Sequence, residues 1–183
     1  MILKGYEIRQ AVPDDVTVLP EVERNAATLF LPYLDELGLT SEMLTHVNSI
    51  ADFEAAQQAG HLWVAVEPNG QIVGFAMVLE ISGYAHLEEL DVLPTYGQRG
   101  LGSALVKTVC NWAKVAGYPA VTLRTFRDPP WNGPFYLGQG FQVIESSQLS
   151  AEHVELETSE ERHGLRTKYR ITLIYPTVKL NGG

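Results

Sequence analysis

Two glycines stand in a turn between an apolar segment and a segment with helical periodicity. In LEELDVLPTYGQRGLGSALVKTV, Gly100 and Gly102 come after the apolar residues and just before the helical pattern begins. The first turn of a helix has unpaired backbone N–H groups and the positive end of the helix dipole, so it suits a phosphate. Glycine removes side chains where the backbone must approach that anion closely. This segment therefore predicts a phosphate-binding turn.

Two other phosphate-binding motifs do not fit the same turn. A dinucleotide fingerprint requires glycine at position 105, where Leu105 stands. A Walker A loop requires Gly-Lys followed by Ser or Thr at the end of the turn, and the turn lacks that sequence. A glycine-rich strand-to-helix turn that binds no ligand is the plain alternative, and the turn by itself does not separate the two interpretations.

The strand before the turn carries three side chains able to accept a proton, namely His86, Glu88 and Glu89. In HLEELDVLP the apolar residues Leu87 and Leu90 are three positions apart, whereas a regular strand places odd separations on opposite faces. A bulge near the two glutamates would let both leucines face the core. The spacing therefore predicts a bulged strand.

The glycine turn and a later segment together resemble the GNAT superfamily of acetyl-CoA-dependent N-acyltransferases. Gly100 and Gly102 match the two small positions of its pyrophosphate motif, and Tyr136 in PFYLGQGF precedes a Gly-Phe pair by four residues, as the family's tyrosine does. The chain departs from the pattern at Gly97, where the family has Gln or Arg. By order of elements the resemblance covers residues 9–144, and it is sharp at 87–105 and 123–141.

The resemblance implies how acetyl-CoA, the co-substrate, is bound. Backbone N–H groups of residues 98–104 would hold the pyrophosphate, with the Arg99 charge and the Ser103 hydroxyl as added contacts. Backbone groups of a strand splayed from its parallel neighbour would bind the pantetheine arm, and one N–H would hold the thioester oxygen as it becomes an oxyanion. Asn132 is a candidate for a pantetheine hydrogen bond, with capping of a helix as the alternative. The expected cofactor-binding residues are Leu90, Asp91, Val92, Gln98, Arg99, Gly100, Leu101, Gly102, Ser103, Ala104 and Asn132.

The resemblance also assigns two proton transfers. The Tyr136 phenol would protonate the departing thiolate, since a phenol and a thiol have pKa values near ~10 and ~8.5. Packing on Phe141 is the alternative for this tyrosine. An alkylamine with a pKa near ~10 is protonated at neutral pH, so its attack needs a base. The sequence does not choose among His86, Glu88 and Glu89, each of which is otherwise a solvated or salt-bridged strand residue.

Composition excludes several classes of protein. The chain has 183 residues, of which 45% are hydrophobic and 19% charged, and this suits one globular domain over residues 1–183. Its formal charge of −9 disfavours nucleic acid and membranes as partners. The charge favours a cationic amine, either a small molecule or a peptide, with a role only in solubility as the alternative. No apolar run approaches ~18 residues and no leader peptide is evident, so we expect a cytoplasmic protein. A homodimer is left open.

Cysteine and histidine usage points away from disulfide and metal chemistry. Cys110 is the only cysteine, and it lies in a helical pattern with no basic neighbour to lower its pKa. We therefore expect a core thiol. The five histidines have no metal-ligand spacing, so no metal is expected.

Hydrophobic periodicity predicts the elements that must position these residues. Strands are expected at 6–11, 61–67, 71–80, 84–93, 120–126, 141–145 and 169–175. Helices are expected from residue 13, at 41–58 with Ser41 as its N-cap, at 100–116, at 131–138, and after a cap at Ser150, whereas 28–38 is expected to be irregular. The predicted fold is a GNAT-like α/β domain, in which a mixed central sheet is mostly antiparallel with one splayed parallel pair and has helices on both faces.

The predicted function is transfer of an acetyl group from acetyl-CoA to a primary amine, by direct attack in a ternary complex. A non-catalytic acyl-CoA-binding or sensing module on the same fold is the alternative from another class of protein. A binder of nucleotide phosphates is a further alternative.

Overall fold

A computed structural model describes residues 5–178 of the chain. Its centre is a seven-stranded sheet with the order β1-β2-β3-β4-β5-β7-β6. Within the described residues β4 and β5 form the one parallel pair, and every other neighbouring pair is antiparallel. The strands are β1 (Glu7–Gln10), β2 (Leu62–Val66), β3 (Ile72–Ile81), β4 (Tyr84–Val92), β5 (Ala120–Phe126), β6 (Gln142–Ile144) and β7 (Arg170–Pro176).

Six α-helices and several short 3-10 helices connect these strands. The α-helices are α1 (Leu19–Ala27), α2 (Leu34–Leu37), α3 (Ile50–Gln58), α4 (Leu101–Ala116), α5 (Gly133–Gly138) and α6 (Ala151–Arg162). The predicted mixed sheet with a parallel pair and flanking helices is confirmed. Among residues 5–178, no helix combines the length and the apolar character that crossing a bilayer requires.

The sheet separates two hydrophobic clusters because strand side chains alternate between its faces. On one face, α4 buries Leu105 and Val109 against Val121 and Leu123 of β5. Cys110 belongs to the same cluster, as expected of a core thiol, and burial raises its pKa to about 12. On the other face, Leu19 and Val22 of α1 and Phe53 of α3 pack against β2 and β3. Phe75 and Met77 of β3 belong to the same cluster.

The predicted bulge lies in β4. The pairing of β4 with β3 shifts register between Met77 and Val78, which face Glu89 and Leu87 respectively, so Glu88 is the extra residue. Leu87 is buried in the α4-side cluster, and Leu90 packs partly buried against the same cluster. One inserted residue therefore lets two leucines three positions apart face one side, as their spacing predicted.

Two expectations for residues 28–58 are wrong. Helix α3 begins at Ile50 rather than after Ser41, because Ser49 and Asp52 form a reciprocal capping box. Residues 28–38 are not irregular, since they form the 3-10 helix Thr28–Tyr33 followed by α2, which ends at the left-handed Gly38 (φ 66°). Their aromatic side chains pack into a third cluster with Phe126 and supply the contacts that order this segment.

Candidate functional site

The turn before α4 presents a row of unpaired backbone donors. Among residues 5–178, the N–H groups of residues 98–103 have no hydrogen-bond partner. Gln98 (φ 59°) and Gly100 (φ 80°) adopt left-handed backbone conformations, which curve the chain so that successive N–H groups form a concave anion site. The first turn of α4 holds no acidic residue to repel an anion. The Ala104 N–H differs from expectation, because it donates to the Gly100 carbonyl at 3.0 Å and begins the regular helical ladder.

Side chains near this turn add charge and leave space. The exposed Arg99 guanidinium donates to the Tyr6 hydroxyl at 2.8 Å and the Thr95 carbonyl at 3.1 Å, and it stacks 4.9 Å from the Tyr96 ring centroid. A Cβ added at Gly102 would meet the Phe135 ring at 3.4 Å, an ordinary contact, and Gly102 does not have a positive φ. Packing alone therefore does not require glycine at position 102, whereas close approach of a ligand to its backbone would.

A gap opens between β4 and β5 just past the bulge. The parallel pairing consists of Ala85 with Val121 and His86 with Thr122, and the strands separate beyond that point. The Leu93 N–H donates to the Val73 carbonyl at 2.8 Å, so these two residues form a hydrogen-bonded pair of the β3–β4 ladder. This pair shows which residues of β4 direct their backbone groups towards β3. Backbone groups alternate in direction along an antiparallel strand.

This alternation decides which β4 backbone groups face the gap. Asp91 pairs with Phe75 in a hydrogen-bonded position, so its N–H and carbonyl point towards β3. Leu90 and Val92 occupy the intervening positions, and their N–H and carbonyl groups point towards the gap. Of the three β4 residues expected to contact pantetheine through their backbone, only Leu90 and Val92 therefore direct these groups towards the gap.

Tyr136 combines a buried side chain with a hydroxyl that no described residue hydrogen-bonds. The residue is 8% exposed, and its ring contacts Phe135 and Phe141 with centroid distances of 5.0 and 5.7 Å. No described residue hydrogen-bonds this hydroxyl, and its oxygen is not completely buried. Burial, with the charges of Glu89 and Asp91, raises the pKa of the phenol, so it is protonated at neutral pH. The packing role and a proton-donating role are thus both available to it.

Asn132 stands at the N-cap position of α5, but its side chain does not cap the helix. Its Oδ1 instead accepts a hydrogen bond from the Thr125 hydroxyl near the end of β5. This hydrogen bond fixes the side chain across the loop 127–132, so the structure does not show the alternative role of helix capping. A contact with pantetheine stays a prediction.

The face of β4 opposite α4 carries carboxylates. Glu89 and Asp91 alternate with Leu90 and Val92, so they project towards the side covered by α1. There Glu23 of α1 is 7% exposed. Burial, with mutual repulsion among these carboxylates, raises the pKa values of Glu89 and Asp91 well above their ordinary range.

The partners of Glu23 hold it in this cluster. Its carboxylate accepts hydrogen bonds from the Asn48 backbone N–H at 3.0 and 3.1 Å and from the Asn48 side-chain amide at 3.1 Å. Burial nevertheless raises the pKa of Glu23. Sequence reasoning missed Glu23, because an acid on an amphipathic helix is ordinarily solvated and only the fold places it over β4.

His86 and Glu88 meet at the bulge. His86 is 2% exposed, and its Nδ1 lies 2.9 Å from the Thr122 hydroxyl. Its Nε2 lies 3.7 Å from a carboxylate oxygen of Glu88, which is too long for a hydrogen bond. Burial and nearby positive charges lower the pKa of His86 to about 3, so the imidazole is neutral at pH 7. Burial and the charge of Glu160 raise the pKa of Glu88, whose side chain is 30% exposed.

An aromatic group borders the end of β5. The Trp131 ring lies 5.8 Å from Phe30 and 5.1 Å from Tyr33, and Phe30 also contacts Phe126 at 5.3 Å. The indole N–H of Trp131 is buried without a hydrogen-bond partner among the described residues. The tryptophan is thus packed on the first 3-10 helix after α1. Across residues 5–178, no three His, Cys, Asp or Glu side chains form a group able to hold a metal ion.

Comparison with known proteins agrees with this geometry. The sequence pattern of the acetyltransferase (GNAT) family matches residues 27–141. The chain belongs to the GNAT family. N-acetyltransferase 8F1 of Rattus norvegicus is 36% identical over 89 residues, which span 45% of this chain and 40% of that protein's length.

Solved structures share the GNAT fold at low sequence identity. The PaiA N-acetyltransferase of Thermoplasma acidophilum in complex with coenzyme A has a TM-score of 0.67 at 17% identity, covering 94% of this chain and 99% of that one. The N-acetylglutamate synthase of Neisseria gonorrhoeae, complexed with coenzyme A and N-acetyl-glutamate, has a TM-score of 0.69 at 16% identity, covering 95% of this chain and 35% of that one. The ribosomal-protein-S18-alanine N-acetyltransferase of Escherichia coli has a TM-score of 0.63 at 16% identity, covering 97% and 99%. At these identities the likeness establishes the fold.

Proposed function

We propose that this GNAT chain is an enzyme that transfers the acetyl group of acetyl-CoA to a primary amine in a ternary complex. The observation that carries the proposal is the double role of β4. Its edge presents unpaired backbone groups of Leu90 and Val92 to the gap beside β5, and its opposite face presents Glu89 and Asp91. One strand thus offers polar backbone to a thioester and carboxylates to a cation.

The amides of residues 98–103 would bind the pyrophosphate of acetyl-CoA. They are unpaired, they lie at the positive end of the 16-residue helix α4, and Arg99 adds a fixed positive charge beside them. The family tie and the coenzyme A complexes of two proteins with the same fold support this assignment. The open edge of β4 leads from this turn towards the bulge and would receive the pantetheine arm.

The carboxyl groups of Glu23, Glu89 and Asp91 would bind the amine acceptor, as an ammonium ion, on the α1 side of β4, since its positive charge favours their ionised form. Glu88 would remove its proton. It is the inserted residue at the point where the gap begins, it is partly exposed, and its raised pKa brings it nearer to neutrality, where a general base works best. Buried His86 has the lowered pKa of a weak base and is the poorer candidate for direct contact.

Tyr136 would protonate the departing thiolate. Its hydroxyl has no hydrogen-bond partner among the described residues, and its raised pKa keeps it protonated before the thioester breaks. The acetyl carbon would pass from sulfur to nitrogen without forming a bond to the protein. The buried Cys110 thiol, with its raised pKa, is unsuited to act as a nucleophile.

The test compares three variants of the full chain in an amine-panel screen that reads free thiol. Tyr136→Phe removes one hydroxyl and little volume, so CoA binding should persist while the transfer rate falls by about 10²-fold or more. Glu88→Gln should lower the rate by a similar factor, and Glu89→Gln should chiefly raise KM for the amine. The wild-type rate in Tyr136→Phe would show that Tyr136 only packs. CoA binding with no turnover on any amine would instead indicate a sensing module.

A further inference from the structure

A hydrogen-bonded row of polar side chains, called the polar chain below, leads from His86, beside the bulge of β4, to the start of α6. His86 Nδ1 lies 2.9 Å from the Thr122 hydroxyl, and this hydroxyl lies 3.2 Å from His153 Nε2. His153 Nδ1 lies 2.8 Å from the Ser150 hydroxyl. At the other end, His86 Nε2 faces Glu88 at 3.7 Å. Three elements, β4, β5 and α6, each contribute to this chain.

The chain crosses the protein interior. His86 is 2% exposed, and both Thr122 and His153 are 0% exposed. At its two ends it reaches solvent, since Ser150 and Glu88 are half-buried. Burying polar side chains is unfavourable unless each finds a partner, and apolar residues would fill the same space more simply. A polar chain that is hydrogen-bonded at each step from His86 Nδ1 to Ser150, and lies between two accessible ends, therefore calls for a functional explanation.

All the hydrogen bonds of this polar chain can run in a single direction, from His86 to Ser150. A neutral imidazole has one donor and one acceptor nitrogen, and a hydroxyl has one proton to give. If His86 donates from Nδ1 to Thr122, the Thr122 hydroxyl can donate to His153 Nε2, and His153 can donate from Nδ1 to Ser150. His86 Nε2 is then a free acceptor facing Glu88, and the Ser150 hydroxyl is free to donate to water. If each proton moves one step, every hydrogen bond runs in the opposite direction, from Ser150 to His86.

We propose that, in the acetyl transfer proposed above, His86, Thr122, His153 and Ser150 relay the amine's proton from Glu88 to solvent. An ammonium acceptor and acetyl-CoA yield an amide, a free thiol and one net proton. Of the two protons the nitrogen loses, one replaces the proton that Tyr136 gives to the thiolate. The other passes from Glu88 to His86 Nε2, moves one step at each member, and leaves the Ser150 hydroxyl for water.

The relay would act while both substrates fill the groove and cover the exposed part of Glu88, which is 30% of its side chain in the structure. The transfer from Glu88 requires rotation of its side chain to close the 3.7 Å separation from His86. The original tautomers return after product release, when a proton from water enters at the Ser150 hydroxyl, each member shifts its proton one step back, and one proton leaves Glu88 for water through the reopened groove. No oxidant, metal or further reactant takes part.

The charges around the chain favour neutral imidazoles in the resting state. Arg124 of β5 and Arg170 of β7 face His86, and burial comes first among the causes that lower its pKa. Burial also lowers the pKa of His153, which Glu152 on its own helix opposes. Across the same face, Glu157 and Glu160 of α6 pair with the two arginines. A proton shift of one step at each member requires that the imidazole rings of His86 and His153 are neutral.

The first measurement needs no substrate. In the full chain labelled with 15N-histidine, imidazole nitrogen shifts at neutral pH should show His86 and His153 as like tautomers. If His86 carried its proton on Nδ1 and His153 on Nε2, both would donate to Thr122, and the single polarity would be lost. That result would overturn the relay whatever the protein acetylates.

The second measurement uses a matched pair at Thr122. Thr122→Val keeps the shape and removes the hydroxyl, so kcat should fall about 10-fold or more, with KM for acetyl-CoA unchanged. Thr122→Ser restores a hydroxyl and should recover most of that rate. Thr172→Val removes a buried hydroxyl that accepts a hydrogen bond from Arg124 and is not a member of the polar chain. This variant should therefore retain the parental kcat.

A second variant guards against loss of folding. His153→Gln can keep hydrogen bonds to its neighbours but its amide cannot pass a proton, so it should show the same loss of kcat, and added buffer should partly restore the rate. Parental kcat in folded Thr122→Val or His153→Gln, beside an active wild type, would overturn the relay alone. Failure of the wild type to acetylate any amine would overturn the proposed function together with the relay.

Discussion

Replacing Gly102 by Asp should separate the stability of α4 from its affinity for CoA. Gly102 is the second residue of α4, and a Cβ there meets only the Phe135 ring at the ordinary distance of 3.4 Å. A negative charge in the first turn of a helix stabilises it by about 0.3–1 kcal/mol. We therefore expect an unchanged or slightly raised melting temperature.

The same charge should oppose the pyrophosphate. Two unit charges about 4 Å apart near a protein surface interact by about 4 kcal/mol, and solvent screening reduces this to about 2 kcal/mol for an exposed pair. A loss of about 2–4 kcal/mol corresponds to a reduction in CoA affinity of about 30- to 900-fold. Isothermal titration calorimetry with CoA measures this directly.

Gly102→Asn is the matched control, since it has the size of Asp without the charge. Its affinity should lie between those of the parent and Gly102→Asp, because it blocks close approach to the backbone but does not repel phosphate. Raising the salt concentration should narrow the difference between Asp and Asn. Equal CoA affinity in parent, Asn and Asp proteins, all folded, would place the pyrophosphate elsewhere and refute the assignment of residues 98–103.

Two further predictions concern pH and helix capping. Arg170 lowers the pKa values of Glu88 and Glu89, so Arg170→Gln should raise both and move the acidic limb of the kcat profile to higher pH; a limb that stays in place would show that neither carboxylate is the base. Ser49→Ala should destabilise the protein by about 1 kcal/mol in urea titrations, whereas Ser41→Ala should change stability by less than about 0.5 kcal/mol, and equal effects would contradict the capping box at Ser49.

Local patterns in the sequence were sufficient for most of the sheet and for α4. The strand predicted at 120–126 has those bounds, because all its residues except Arg124 are apolar or β-branched and a left-handed glycine, Gly117, ends the preceding helix. The bulge followed from the spacing of Leu87 and Leu90, which a regular strand cannot bury together. These features depend on neighbours within a few residues, and the sequence displays such neighbours directly.

The capping error arose from a competition between two serines. Ser41 and Ser49 both precede apolar residues, but only Ser49 has an acid three positions later, Asp52, which completes the reciprocal pair. The spacing of Ser49 and Asp52 therefore marks the start of α3 within the sequence itself. The segment 28–38 is different, because its helical turns are held by contacts with Phe126, far along the chain.

The parts of the site that the sequence could not supply are those built across the sheet. Thr122 and His153 are 31 residues apart, and neither has a neighbour that marks it for proton transfer. Glu23 joins Glu89 and Asp91 only because α1 crosses β4, and this placement depends on the packing of Leu19 and Val22. Long-range juxtaposition of ordinary residues leaves no local signature.

The register of β4 explains why its acids and its open backbone do not interfere with one another. In a regular strand, side chains two apart share a face, and backbone groups two apart share an edge. Leu90 and Val92 therefore give their backbones to the gap and their side chains to the α4 cluster, while Glu89 and Asp91 pair with β3 and turn their carboxylates to α1. The bulge at Glu88 sets this register, because without the inserted residue the leucine at 90 and the acid at 89 would exchange faces relative to Leu87. The inserted residue thus places the open backbone groups of Leu90 and Val92 at the edge beside the gap and the carboxyl groups of Glu89 and Asp91 on the face towards α1, the separation on which the proposed function depends.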